Sequence, residues 1–192
     1  MATDEDCRDG VGVNGSRAIR LGLAVLVVAL AVTGALATSA LATARSETSL
    51  QAMNRQVLQA VNRFRVAHGL HPLRESRGLD GSARQHSLEM GRDGYFGHSS
   101  ANGTSFWRRI RHYYPASGGG YWTVGENLLW ASPSVSAPRA MGMWIASPEH
   151  LRNLLAPQWR DLGVSAVRVV GAPGVFHGLR VTIITTDFGA RH

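Results

Sequence analysis

Between Arg20 and Arg45 the chain passes through 24 residues, Leu21 to Ala44, without one charged side chain. As a helix that run would reach about 36 Å, enough to cross the hydrocarbon of a bilayer, so it separates a short leading stretch from everything that must fold afterwards. Arg17 and Arg20 just before it favour a cytoplasmic N-terminus. The triplets Ala35-Leu36-Ala37, Ala40-Leu41-Ala42 and Ala42-Thr43-Ala44 also suit a signal peptidase. The segment over residues 21–44 is therefore read as a transmembrane anchor or a signal peptide, and either one exports the remainder of the chain. The expected location is the cell membrane with an extracytoplasmic domain, or the secreted state. Residues 1–20 are read as a short disordered cytoplasmic tail, because Met1 to Ser16 is polar, Gly-rich and acidic and offers little apolar surface to offset the entropy of ordering.

About 145 residues remain, which suits one domain with an ordinary core and leaves no room for a second catalytic domain. All 20 basic residues are Arg. From Arg45 onward 17 Arg face 9 acids, a balance of +8. Such a surface attracts anionic headgroups and polymers, although a solvated face is the plainer reading, and nucleic acid is not the expected partner. The single cysteine, Cys7, precedes the apolar run, so the exported part has no disulfide and no thiolate metal ligand.

Hydrophobic spacing predicts the elements. Leu50, Met53, Val57, Ala60, Val61, Phe64 and Ala67 form one helical stripe that Gly69 can stop. Ser76 can cap a second helix with Leu79, Ala83, His86 and Met90 on one face. Thr104 is the expected cap of a short helix over Ser105 to Tyr113, with Arg108, Arg109 and Arg111 mostly on its wet side. Tyr121 to Ala131 reads as a strand entering a site. Pro138 opens a helix to about Ala146, and Ser147-Pro148-Glu149-His150 reads as the start of another. Leu162 to Val170 and Val175 to Thr186, joined by Gly171-Ala172-Pro173-Gly174, predict an antiparallel hairpin. Helices first and paired strands last indicate a mixed α+β fold.

Three residues stand out chemically. His98 lies in a Gly-rich polar loop where an imidazole can be presented. Glu126 interrupts an apolar strand, and a buried carboxylate there costs several kcal/mol unless something pairs with it. His150, at the third position of its helix, can take that carboxylate's hydrogen bond or ligate a metal. Two imidazoles and a carboxylate suit a zinc-like ion with open positions. Ser99 beside His98 lacks the strained elbow of a serine nucleophile.

Four segments in order, Leu58-Gln59-Ala60-Val61-Asn62-Arg63-Phe64-Arg65, Phe96-Gly97-His98-Ser99, Gly125-Glu126-Asn127-Leu128 and Trp144-Ile145-Ala146-Ser147-Pro148-Glu149-His150-Leu151-Arg152-Asn153, resemble the bacterial branch of the superfamily of cysteine-rich secretory, antigen-five and pathogenesis-related proteins. The resemblance extends over residues 49–189 and implies an α-β-α sandwich with a central cleft. It also implies a set of two His and two Glu that holds a divalent cation in many members. His98, Glu126 and His150 fall on three of those positions. Ser147 stands where animal and plant members carry the second glutamate, and the neighbouring Glu149 is the candidate substitute.

Three functions stand as expectations. The first is a non-enzymatic, monomeric envelope or extracellular protein that binds a lipid, glycan or protein ligand in a cleft lined by His98, Glu126, Glu149 and His150. The second is a metal-dependent hydrolase, with Glu126 as catalytic general base for water on a weakly held zinc-like cation bound by His98 and His150. In the third the trio is structural, Glu126 tying the two imidazoles to the strand. The cofactor expectation is accordingly a loosely bound divalent cation or none.

Overall fold

The computed structural model describes residues 47–117 and 120–191. Cys7, the tail over residues 1–20 and the apolar run over 21–44 lie outside the described residues. Among the described residues no helix is long and apolar enough to cross a membrane.

The first helix, α1, occupies residues 47–67. Its stripe behaves as the spacing demands: Met53, Val57, Ala60 and Val61 are buried, with Leu50 and Phe64 packed at the margin. Ala67 is exposed at the helix end, just before Gly69 turns the chain with φ +74°. Arg65 breaks the pattern, because it is fully buried. Its guanidinium donates to the carbonyls of His71, Leu154 and Ala156, so a charged side chain of α1 satisfies orphan acceptors where another helix ends.

Strand β1 (Arg74–Glu75) leads into α2 (Arg77–Asp93). Ser76 caps α2 by accepting a hydrogen bond from the Leu79 N–H, and Gly94 closes it in the left-handed conformation with φ 73°. Leu79, Ala83, His86 and Met90 are all buried, as the face predicted. Helix α3 (Phe106–Tyr113) has Ser105 at its N-cap, one residue later than expected, and Thr104 lies before it. Then come β2 (Trp122–Ala131), α4 (Ala137–Ala146) and α5 (Pro148–Leu155), the last two carrying Pro138 and Pro148 in their first turns. The chain closes with β3 (Asp161–Ala172) and β4 (Leu179–Arg191).

The hairpin forms, but β4 begins at Leu179 and not at Val175. A 3-10 turn over Gly174–Phe176 intervenes, since Phe176 is more useful inside, where its ring meets the edge of Trp130 at 5.2 Å. Strand β4 also runs past Thr186 to Arg191, because β2 pairs with it from Thr182 to Arg191.

The sheet has the order β1-β3-β4-β2, with β1 parallel to β3 and the other pairs antiparallel. Alternation sends Leu129, Val164, Ala166, Ile184 and Phe188 to the face covered by α1, α4 and α5. Leu128, Val167, Val181 and Ile183 go to the other face, with Met90 of α2. Leu79, Ile110 and Tyr114 join α2 to α3. Helices thus cover both faces of a mixed sheet, the α+β sandwich that the resemblance implied. Gly163 lets α2 ride close on β3, where a Cβ would overlap the backbone of Leu79 and Asp80.

Candidate functional site

Strand β2 is an edge strand, and its consecutive residues Glu126 and Asn127 point to opposite faces of the sheet. Glu126 turns toward α2 and α3, Asn127 toward α5. The three residues singled out in the sequence come from three different elements, the loop before α3, β2 and α5. His98 joins Glu126 on one side, and α5, packed on the other, carries the His150 side chain to the edge of the strand beside Leu128 and Trp130.

On the first side the Glu126 carboxylate accepts from His98 Nδ1–H at 2.8 Å through Oε1 and from Arg109 Nη2–H through Oε2. The Arg109 and Glu126 side chains are 2% and 0% exposed. Arg109 Nη1 also donates to the His98 carbonyl at 3.2 Å and to Ser100 Oγ at 3.1 Å. One guanidinium thereby fixes both the carboxylate and the loop that carries the imidazole. Since Nδ1 is engaged by Glu126, Nε2 is the nitrogen that His98, 52% exposed, can offer to the cleft.

This corrects the reading of the arginine cluster. Arg108 and Arg111 are exposed, their guanidiniums lying against the Trp107 and Trp122 rings, but Arg109 is buried. The physical reason is the partner that a carboxylate inside an apolar strand requires. The signal was available: Arg109 sits three residues after Phe106 and beside Ile110, on the inward side of α3.

Behind Glu126 lies a second carboxyl that sequence reasoning did not single out. Asp187 of β4 pairs directly across from Glu126 and is fully buried. Burial first, and then the neighbouring Glu126 charge, push its pKa well above the usual carboxylate range, opposed by the Ser82 hydroxyl and the Arg109 charge. His86 of α2 supports the same loop from below, its Nε2–H donating to the Gly97 carbonyl at 2.8 Å, one residue before His98. Burial holds the His86 imidazole below its ordinary pKa.

On the other side, Asn127 Nδ2 donates to the His150 carbonyl at 3.1 Å, and Asn153 Nδ2 donates to Asn127 Oδ1 at 2.9 Å and to the Glu126 carbonyl at 3.1 Å. This amide network sets the start of α5 against β2. Sequence reasoning missed both asparagines as positioning groups. His150 is half-buried in the wall of an apolar cavity of about 280 Å³ with Phe96, Leu128, Trp130, Met143 and Trp144. His98 walls a more polar cavity with Asp93, Tyr95, Ser99 and Ser100. The His150 pKa is lowered by burial and then by the charge of His98, with Glu149 opposing, so the two imidazoles influence each other.

The Glu126 carboxylate goes to His98 and Arg109, and not to His150 as one sequence reading had it. Glu149 is exposed in the first turn of α5, and Ser147, its N-cap residue, lines the apolar cavity. Among the described residues no three His, Cys, Asp or Glu side chains are grouped to hold a metal ion.

Similar proteins bear on this arrangement. The uncharacterized protein YkwD of Bacillus subtilis is 29% identical over 133 residues, 69% of this chain and 49% of its own length. The uncharacterized membrane protein YlbC of the same species is 31% identical over 114 residues, 59% of this chain and 31% of its own length. The chain thus spans about half of one curated relative and less of the other. An extracellular protein containing an SCP domain from Bacillus anthracis matches in structure with a TM-score of 0.57 and 24% identity, over 74% of this chain and 41% of that one. An outer surface protein from Borrelia burgdorferi matches with a TM-score of 0.54 and 18% identity, over 70% and 90%. These two likenesses speak to the fold. The model of the cysteine-rich secretory protein family, CAP, matches residues 58–174, a continuous span that takes in His98, Arg109, Glu126 and His150. With more than half of its length in that match, the chain belongs to the cysteine-rich secretory protein family.

Proposed function

We propose that this CAP protein is exported to the cell envelope or extracellular space and binds a ligand that combines an apolar part with a hydrogen-bonding head. Lipids, glycans with an apolar substituent and protein segments are the classes that fit. The observation that carries this reading is the contrast around the edge of β2: His150 stands in an apolar, aromatic wall, and His98 is held by Glu126 beside a polar one. An apolar group would bury against Phe96, Trp130 and Met143. A polar head would meet the imidazole that Glu126 and Arg109 orient. Export rests on the uncharged run Leu21 to Ala44, and a curated relative described as a membrane protein agrees with it.

The hydrolase reading has less support. Both oxygens of Glu126 already accept hydrogen bonds from His98 and Arg109, so the carboxylate is committed to orienting the imidazole and its loop. A fluorescence binding screen of the full chain in detergent micelles against phospholipids, fatty acids, glycans and peptides tests the proposal. A ligand should emerge whose affinity falls about tenfold or more in Trp130→Ala and in His150→Ala. Binding that neither substitution weakens, or none across the panel, rules the cleft out as a ligand site.

A further inference from the structure

We propose that Arg109 is the built-in cation of this cleft: its guanidinium holds the place at Glu126 that a divalent metal would need, and the His98, Glu126 and His150 cluster works without one. The residues present do not fit the metal that the family resemblance implied. This goes beyond the ligand class proposed above, because it concerns what keeps the cleft assembled before any ligand arrives.

Four observations carry it. First, both oxygens of the Glu126 carboxylate are already engaged, one accepting from His98 and the other from Arg109. Second, the pair is buried, and a dication on the same carboxylate would stand against a fixed positive charge where solvent screens little. Third, Arg109 is tied in place, since the same guanidinium donates to the His98 carbonyl and Ser100 Oγ, and displacing it would release the loop that presents His98. Fourth, with Glu126 committed, the donors left over are one imidazole nitrogen each from His98 and His150, and Ser147 stands in place of the second family glutamate, too few to hold an ion tightly.

The fully buried Asp187 makes the claim testable in both directions. Asp187 lies across from Glu126, so two buried carboxyl groups are neighbours and the Arg109 guanidinium is paired with one of them, Glu126. Taking the guanidinium away leaves two acids beside an imidazole, a donor set that suits a divalent ion. The uncharged Arg109→Gln keeps an amide donor toward His98 and Ser100 while removing the charge.

Zinc, manganese and calcium are titrated into the full chain in micelles by calorimetry, with thermal unfolding read alongside and a chelator as control. The wild type is expected to show no saturable binding attributable to the cleft and no rise in melting temperature. Arg109→Gln is expected to bind zinc at least about tenfold more tightly than the wild type and to be stabilised by it. Should Arg109→Gln fold only when zinc is present, the proposal is upheld, because the ion then replaces the guanidinium. Saturable wild-type binding that His98→Ala abolishes would overturn it. So would an Arg109→Gln that folds but gains no affinity, or one that stays unfolded at every zinc concentration.

Discussion

Glu126 and Asn127 are neighbours on one edge strand, yet the two sides of the sheet solve the same problem by different means. Each residue buries polar atoms and each must find partners for them. On the α2 and α3 side the answer is ionic: Glu126 with Arg109, His98 hydrogen-bonded to the carboxylate, and Asp187 enclosed behind. On the α5 side it is neutral, an amide chain from Asn153 through Asn127 to the His150 backbone. The ionic side presents an imidazole by charge and is vulnerable to loss of either partner. The amide side presents its imidazole by backbone placement, and the amides that place it have nothing to titrate. The difference teaches that one site can depend on pH in half of its framework only.

The largest effect should come from splitting the ion pair. Arg109→Ala leaves a buried carboxylate uncompensated and should cost about 3–5 kcal/mol, measured by denaturant unfolding. A loss under about 1 kcal/mol would show that Glu126 finds water or another partner, and would erase the contrast. Asn153→Ala should cost less, about 1–3 kcal/mol, since it strands neutral groups on Asn127 and the Glu126 carbonyl. Its penalty should be the same at pH 5 and pH 8.

A third effect is one of slope. Asp187 binds its proton more tightly when folded, so the folded state holds more protons than the unfolded chain above the ordinary carboxylate range. The Asp187 contribution to wild-type stability therefore falls as pH rises from about 4 toward its raised pKa. Asp187→Asn removes that part and should gain on the wild type as pH rises. Asp80, pushed up to about 6 mainly by burial, gives both proteins the same lower-pH slope. Stability curves that stay parallel from pH 5 to pH 8 would show that Asp187 carries no trapped proton. The smallest effect belongs to the neighbour of the buried arginine: Arg108→Ala, on the wet side of α3, should change stability by no more than about 0.5 kcal/mol. Comparing it with Arg109→Ala on the same helix isolates burial as the cause.

Much of the fold was legible because its signals are local. The α1 stripe, the Ser76 cap and the two proline starts each depend on a few adjacent residues, and the structure keeps them. The hairpin was legible as a pairing but not in its limits, since Phe176 is drawn inward by Met90 and Trp130, residues far away in sequence. The candidate residues themselves were legible, His98 from its loop and Glu126 from its cost inside an apolar strand.

The sequence by itself determined that Glu126 needs a partner, that no cysteine follows Cys7, and that apolar stripes of period 3.6 and 2 will meet in a layered α+β fold. Tertiary structure alone decided who the partner is. The α3 stripe marks Arg109 as the inward one of Arg108, Arg109 and Arg111, and only the packing of α3 against β2 brings it to Glu126. Likewise only strand pairing sets Asp187 opposite Glu126, 61 positions away, and only the packing of α5 against β2 brings the His150 carbonyl to the Asn127 amide. Spacing along the chain governs which residues can be buried together. Which charges then meet is settled by contacts between distant segments, where burial makes every unpaired charge too costly to leave alone.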